Sequence, residues 1–237
     1  ASGDSKPEWL IVDHYGLDAC WEERLLPHVG HILALDDMAN RPHACQILLD
    51  QNFGATRQKY QGRIAPNCTV LAGSNYALLR SEFGRYRDIS LQRRCGNSQV
   101  HNILVLMGGV DADNYTGRIV DQLAGMSLDQ ALELVIVLGA TSPHIDSVRK
   151  SAASLPFRAV VKVNVNNVAE LMAEADLAIG AAGATSWERC CLGLPTIQLV
   201  IAENQRQIGE ALATFGAVKL VDQVDEIPVL LSSASQW

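Results

Sequence analysis

The sequence predicts an α/β protein built on parallel sheets, arranged as two Rossmann-like domains. Three observations lead there. Short runs of Val, Ile and Leu alternate with helix-patterned segments along most of the chain. The runs are continuous rather than alternating apolar with polar, the pattern of strands buried on both faces. Polar and small residues collect directly after the runs, where ligands of such sheets bind, beyond the carboxyl ends of the strands.

The elements follow in order. Residues 1–7 read as a surface lead-in. Trp9-Leu10-Ile11-Val12 is a short buried strand ending at Asp13-His14-Tyr15-Gly16, with a helix around residues 19–26. A second strand, 31–35, ends at Asp36-Asp37, and 47–49 and 69–71 are two more. Residues 91–99 are polar, with Arg93, Arg94, Gly96, Asn97 and Ser98, and read as a linker. The expected division is therefore 1–95, a partial N-terminal Rossmann-like domain, and 96–237, a C-terminal Rossmann-like domain. The first half holds too few strand–helix units for a full domain of that kind.

Past the linker the alternation is cleaner. Strand 103–107 meets Gly108-Gly109, then a helix over 115–123; strand 132–138 meets Gly139, then a helix over 145–153. Strand 160–163 precedes a helix with Val168, Leu171, Met172 and Ala175 at helical spacing. Strands 176–179 and 196–201 follow, then a helix over 206–214 and a last strand over 218–221. Polar strand ends in both halves suggest a cleft between the two domains.

Composition removes several function classes. The 237 residues are 48% hydrophobic and 19% charged, an ordinary globular balance. A net charge of −7 disfavours nucleic acid and anionic membrane as partners. The six cysteines (Cys20, Cys45, Cys68, Cys95, Cys190, Cys191) form no CxxC pair and read as free thiols of a reducing cytoplasm, the last two in a buried helix. No signal peptide is visible, and no apolar run approaches the about 20 residues a membrane span needs. Oligomeric state is not legible.

The densest chemistry lies in Gly180-Ala181-Ala182-Gly183-Ala184-Thr185-Ser186-Trp187-Glu188 and in Glu203-Asn204-Gln205. Each opens a helix directly after a strand, the first capped by Thr185 or Ser186. Helix starts offer free N–H groups and a positive dipole end to a diphosphate. Glu188 reads either as a ligand of ribose hydroxyls or as a carboxylate favouring its own helix. Asn204 and Gln205 read equally as helix caps and as substrate contacts. Gly108 and Gly109 lack the GxGxxG pattern, leaving a tight turn or part of a phosphate cradle. His14 is a candidate base, though a lone strand-end histidine is more often structural. Tyr15 is the better substrate contact. Asp36 and Asp37, with Asn40, Arg41 and His43, lack a third metal ligand by spacing and read as loop braces. His28 and His31 lack partners for a metal. GxSxG, HExxH and Walker A motifs are absent. No metal or cofactor is expected.

Four segments together carry a resemblance: residues 9–18, residues 36–43, Tyr76-Ala77-Leu78-Leu79-Arg80, and Ala182-Gly183-Ala184-Thr185-Ser186-Trp187-Glu188. They resemble the PseG family, the UDP-2,4-diacetamido-2,4,6-trideoxy-β-L-altropyranose hydrolases of pseudaminic acid biosynthesis. Wider relatives are GT-B glycosyltransferases like MurG, whose two domains grip a UDP-sugar. The resemblance implies water attack at the anomeric carbon with release of UDP, and a product used to glycosylate flagellin or surface polysaccharide. It implies that Gly108 and Gly109 lie by the phosphates. Gly183, Ala184, Thr185 and Ser186 would present amides to them, and Glu188 would hold ribose. Tyr15 and Asn204 match active-site positions. The family begins with a GxGHxxR motif whose His is the proposed general base, and these 237 residues contain no GxGH. The first strand here resembles one inside the family's N-terminal domain, so the resemblance implies a fragment lacking the front of that domain. His14 does not occupy the GxGH position. A UDP-sugar-dependent glycosyltransferase and a UDP-sugar-binding fragment without turnover are the alternatives.

Overall fold

Two units, Ala1–Leu78 and Leu79–Trp237, make up the chain in the computed structural model, which describes residues 6–96 and 99–234.

In the first unit, strands β1 (Trp9–Asp13), β2 (His31–Leu35), β3 (Ile47–Asp50) and β4 (Thr69–Ala72) form a parallel sheet in the order β1-β2-β3-β4. Helix α1 (Ala19–Leu25) starts where Asp18 accepts a bond from the Trp21 amide at 3.3 Å, an N-cap. The core gathers Val12, Val29, Ile32, Ala34, Leu48 and Tyr60. A purely apolar slot would strand the Tyr60 hydroxyl. Instead it lies 2.7 Å from the Asp36 carbonyl oxygen and 2.9 Å from Asp50 Oδ2, its one proton shared between the two acceptors.

The second unit opens with α2 (Ser81–Arg94) and then alternates: β5 (Asn102–Leu106), α3 (Tyr115–Ala124), β6 (Glu133–Leu138), α4 (Ile145–Ala153), β7 (Arg158–Val163), α5 (Val168–Glu174), β8 (Leu177–Ala181), α6 (Thr185–Cys191), β9 (Thr196–Leu199), α7 (Glu203–Thr214), β10 (Lys219–Val221) and α8 (Ile227–Ser232). Its six strands pair in parallel in the order β10-β9-β8-β5-β6-β7. Side chains of one strand divide between two cores. Ile103 and Val105 join α3 and α4 on one face, and Leu104 joins α2 and α5 on the other. Burial on both faces is why the strands read as unbroken apolar runs.

The compact units divide between Leu78 and Leu79, whereas the sequence reading put the division after residue 95. The expected linker is corrected. Residues 91–94 of the expected linker are the last turn of α2, while Asn97 and Ser98 lie outside the described residues. Helix α2 is highly polar and buries only Phe83 and Ser90, so it lacks the stripe that marks a helix in sequence. It docks through charge-assisted bonds instead. Arg94 reaches the Met172 and Ala175 carbonyls at 2.9 and 2.6 Å, and Arg93 reaches Asp176 at 2.5 Å. Helix α8 was also missed.

Candidate functional site

From β5 the second sheet runs outward through β6 to β7. The chain then returns to the other side of β5 and runs outward through β8, β9 and β10. This is the doubly wound order, and its switch point lies between β5 and β8. Gly108 and Gly109 follow β5, and Gly183, Ala184, Thr185 and Ser186 follow β8. These six candidates thus fall on the two strand ends where such sheets bind ligands, while Asn204 and Gln205 follow β9 and Glu188 lies within α6.

The turns after β5 and β6 have a physical reason for their glycines. Gly108 has φ +111°, a conformation that side chains rarely adopt. Gly139, after β6, lies so close that a Cβ there would stand 2.0 Å from the Gly109 carbonyl oxygen. Gly183 faces Gln205, with a built Cβ 3.6 Å from Nε2. Gln205 Oε1 accepts from the Ile201 amide at 3.3 Å, so this side chain ties the loop after β9 and sits beside the loop after β8. Asn204 lies in the first turn of α7.

The three helix starts differ in what they leave open. At α3, Asp111 accepts from the Tyr115 and Thr116 amides at 2.8 Å each, and Asn114 accepts from Gly117 at 3.1 Å. Its first amides are occupied, and a carboxylate stands where an anion would go. Helices α6 and α7 have no side-chain cap. Thr185 and Ser186 were expected to cap α6. Instead the N-cap position is Ala184, and both hydroxyls accept from the side chain of Arg189. Asp111 and Arg189 were both missed. The signal that could have found the latter is an Arg in a short helix between two strands that read as buried.

Arg189 is 2% exposed. It donates to the Ala181 carbonyl at 2.7 Å, Ser186 Oγ at 3.2 Å and Thr185 Oγ1 at 3.3 Å. Burial holds its guanidinium down to about 10, still charged at neutral pH. Ser186 Oγ also donates to Gln198 Oε1 at 3.4 Å.

Glu188 points to Arg80, at 3.7 Å, with its side chain 18% exposed. Burial pushes its carboxyl up, opposed by Arg80 and Arg189 and assisted by Glu82. The raised value means that the folded chain favours the protonated form. The resulting penalty sets in as pH rises through the unfolded-state value and is complete above the folded one. Glu188→Gln is therefore expected to raise the urea midpoint at neutral pH. The gain should vanish below about pH 4, the ordinary glutamate range. A gain of equal size at both pH values would contradict this origin.

In the first unit, Tyr15 is 53% exposed on the turn after β1, its hydroxyl 3.4 Å from Asp37 Oδ2. Arg41 holds that turn by donating to the His14 and Leu17 carbonyls at 3.2 and 2.8 Å. Asp36 in turn accepts from Arg41 at 2.6 Å and from the Ala39 amide at 2.8 Å, the bracing role expected of it. His43 Nδ1 meets buried Glu22 at 2.7 Å. His14 Nδ1 accepts from the Gly16 amide at 2.9 Å, a structural turn contact. No group of three or more His, Cys, Asp or Glu placed to hold a metal occurs among the described residues. All six cysteines are free, and Cys190 and Cys191, expected to be buried, are half-buried. No described helix is long and apolar enough to cross a membrane.

No protein-family model matches the chain. It is 28% identical over 214 residues to the UDP-2,4-diacetamido-2,4,6-trideoxy-β-L-altropyranose hydrolase of Campylobacter jejuni, covering 90% of this chain and 73% of that one. It is 29% identical over 152 residues to the spore coat polysaccharide biosynthesis protein SpsG of Bacillus subtilis, covering 64% of this chain and 43% of that one. The fold matches that of Acinetobacter baumannii MurG with a TM-score of 0.60 and 18% identity, over 91% of this chain and 67% of MurG. Over nine-tenths of its length the chain thus resembles the Campylobacter hydrolase, and its two parallel sheets are α/β units of the GT-B kind.

Proposed function

We propose that this chain processes a UDP-sugar, and that the reaction is hydrolysis of UDP-2,4-diacetamido-2,4,6-trideoxy-β-L-altropyranose, the substrate named for its Campylobacter relative. The observation that carries the proposal is the position of residues 182–188. The segment that resembles the hydrolases stands at the carboxyl end of β8, beside the switch point with β5. The diphosphate is assigned to the uncapped starts of α6 and α7, with Gly183, Ala184, Thr185, Ser186, Asn204 and Gln205 around it. Gly108 and Gly109 border it from β5. Because Asp111 closes the start of α3, their part is close backbone approach rather than donation from that helix. Glu188 is assigned to the ribose hydroxyls and Asn204 to the sugar end, and Tyr15, in the first unit, is kept as a substrate contact by the resemblance alone.

In the reaction, water oxygen bonds to the anomeric carbon while the bond from that carbon to the diphosphate oxygen breaks. UDP departs with the electron pair, and the attacking water loses a proton. No residue of this chain is assigned as the base that takes it.

Calorimetric titration of UDP is the first test. Saturable binding that weakens about tenfold or more in Glu188→Ala, the loss of a charge-assisted hydrogen bond, is expected. No binding to the wild-type chain refutes the nucleotide assignment. Free UDP appearing from the UDP-sugar in water alone, followed by phosphorus NMR, supports hydrolysis. The scaffold shared with MurG keeps a second reading, sugar transfer, for which UDP appears only after an acceptor is added. Binding without release would assign recognition without turnover to this chain.

A further inference from the structure

Arg189 is the single Lys or Arg among the described residues that is buried as a whole residue. Its acceptors, Ala181 O, Thr185 Oγ1 and Ser186 Oγ, are all uncharged, and its Nε has no partner. No carboxylate hydrogen-bonds it, although Glu188 beside it in sequence acts on it through space, and an apolar side chain of similar volume is commonly the more stable choice at a buried position. Packing alone does not explain this residue.

The surroundings are shaped to admit it. A Cβ at Gly180, inside β8, would stand 2.3 Å from Arg189 Nη1 and 3.0 Å from the Leu106 carbonyl oxygen. The strand gives up a side chain where the guanidinium lies. Every acceptor of Arg189 belongs to residues 181–186, the turn leading out of β8. Departures from local packing rules of this kind concentrate at functional sites.

We propose that Arg189 is a positioning residue for diphosphate recognition. From beneath, it fixes Ala181, Thr185 and Ser186, so that residues 183–186 meet a nucleoside diphosphate in a preset conformation. Its charge, hydrogen-bonded only to uncharged acceptors, favours the arriving anion. The location of the ligand rests on the UDP reading above.

The test compares UDP with uridine, which lacks the phosphates, in NMR titrations of wild type, Arg189→Met and Arg189→Lys. Arg189→Met is expected to weaken UDP roughly ten- to a hundredfold and uridine by less than about threefold. Arg189→Lys keeps the charge but not the fork, and is expected to fall between. A residue that only supports the fold would shift both ligands alike, so an unchanged UDP-to-uridine ratio overturns the proposal. If Arg189→Met does not fold, the ratio in Arg189→Lys decides alone. Inorganic pyrophosphate separates the two ideas. If wild type binds pyrophosphate but not UDP, the nucleotide reading falls, and the loss of pyrophosphate affinity in the Arg189 variants decides this one. If wild type binds neither, both fall.

Discussion

Gly139→Ala is expected to destabilise the second unit by roughly 2–3 kcal/mol, the cost of overpacking a well-fitted position. The added methyl would stand 2.0 Å from the Gly109 oxygen, 2.8 Å from its carbonyl carbon and 2.9 Å from its Cα. All three are backbone atoms, so no rotamer change relieves the clash. Either the turn after β6 moves or the Gly108-Gly109 turn after β5 moves. The Gly108-Gly109 turn borders the switch point and the Gly139 turn presses on it, so UDP affinity is expected to fall along with the unfolding midpoint. Gly84→Ala is the control. Gly84 lies exposed in α2, with nothing within 4 Å of a built Cβ, and the change there is expected to stabilise by about 0.5–1 kcal/mol. Urea unfolding of the three proteins checks both signs. A neutral Gly139→Ala would mean that the two turns do not touch as described.

Asp36→Ala is expected to cost roughly 3–5 kcal/mol in the first unit, the penalty for removing one partner of a buried ion pair. The Asp36 side chain is fully buried and that of Arg41 is 11% exposed. Without the carboxylate, the Ala39 amide loses its acceptor and Arg41 is left with carbonyls and Asn40. The same guanidinium holds the turn that carries Tyr15. Unfolding followed by the fluorescence of Trp9 and Trp21 is therefore expected to begin at lower denaturant. Asp36→Asn, which keeps an acceptor for Ala39, is expected to lose less. Equal loss in both variants would place the whole effect in the Arg41 pair.

Strand positions were the most legible part of the sequence. The runs at 31–35, 133–138 and 177–181 are apolar on both faces, and each ends at a small or polar residue. Parallel pairing followed from that pattern and from the helices between. Helix α2 was not legible, because Arg93 and Arg94 anchor it through carbonyls and a carboxylate rather than through an apolar face. For the candidate site, the place of Gly183 and Glu188 just after a strand was legible. The roles of Thr185 and Ser186 were not. As a sequence pattern, a hydroxyl at a helix start signals a cap. Only the fold shows Arg189 coming back one turn later to bind both hydroxyls. Asp111 was hidden for a similar reason. It caps α3 from four and five residues away, across a turn in which it and Asn114 both take positive φ.

The fit between Gly180 and Arg189 also constrains how this scaffold can diverge. With a Cβ at position 180 only 2.3 Å from Nη1, no other residue enters that strand position while the guanidinium stays where it is. The reverse order is open, since a shorter side chain at 189 leaves the glycine tolerable, if loosely packed. A lineage departing from this pair would therefore change position 189 first and 180 second. A chain with the arginine and any larger residue opposite it would mark a rebuilt turn between the eighth strand and its helix.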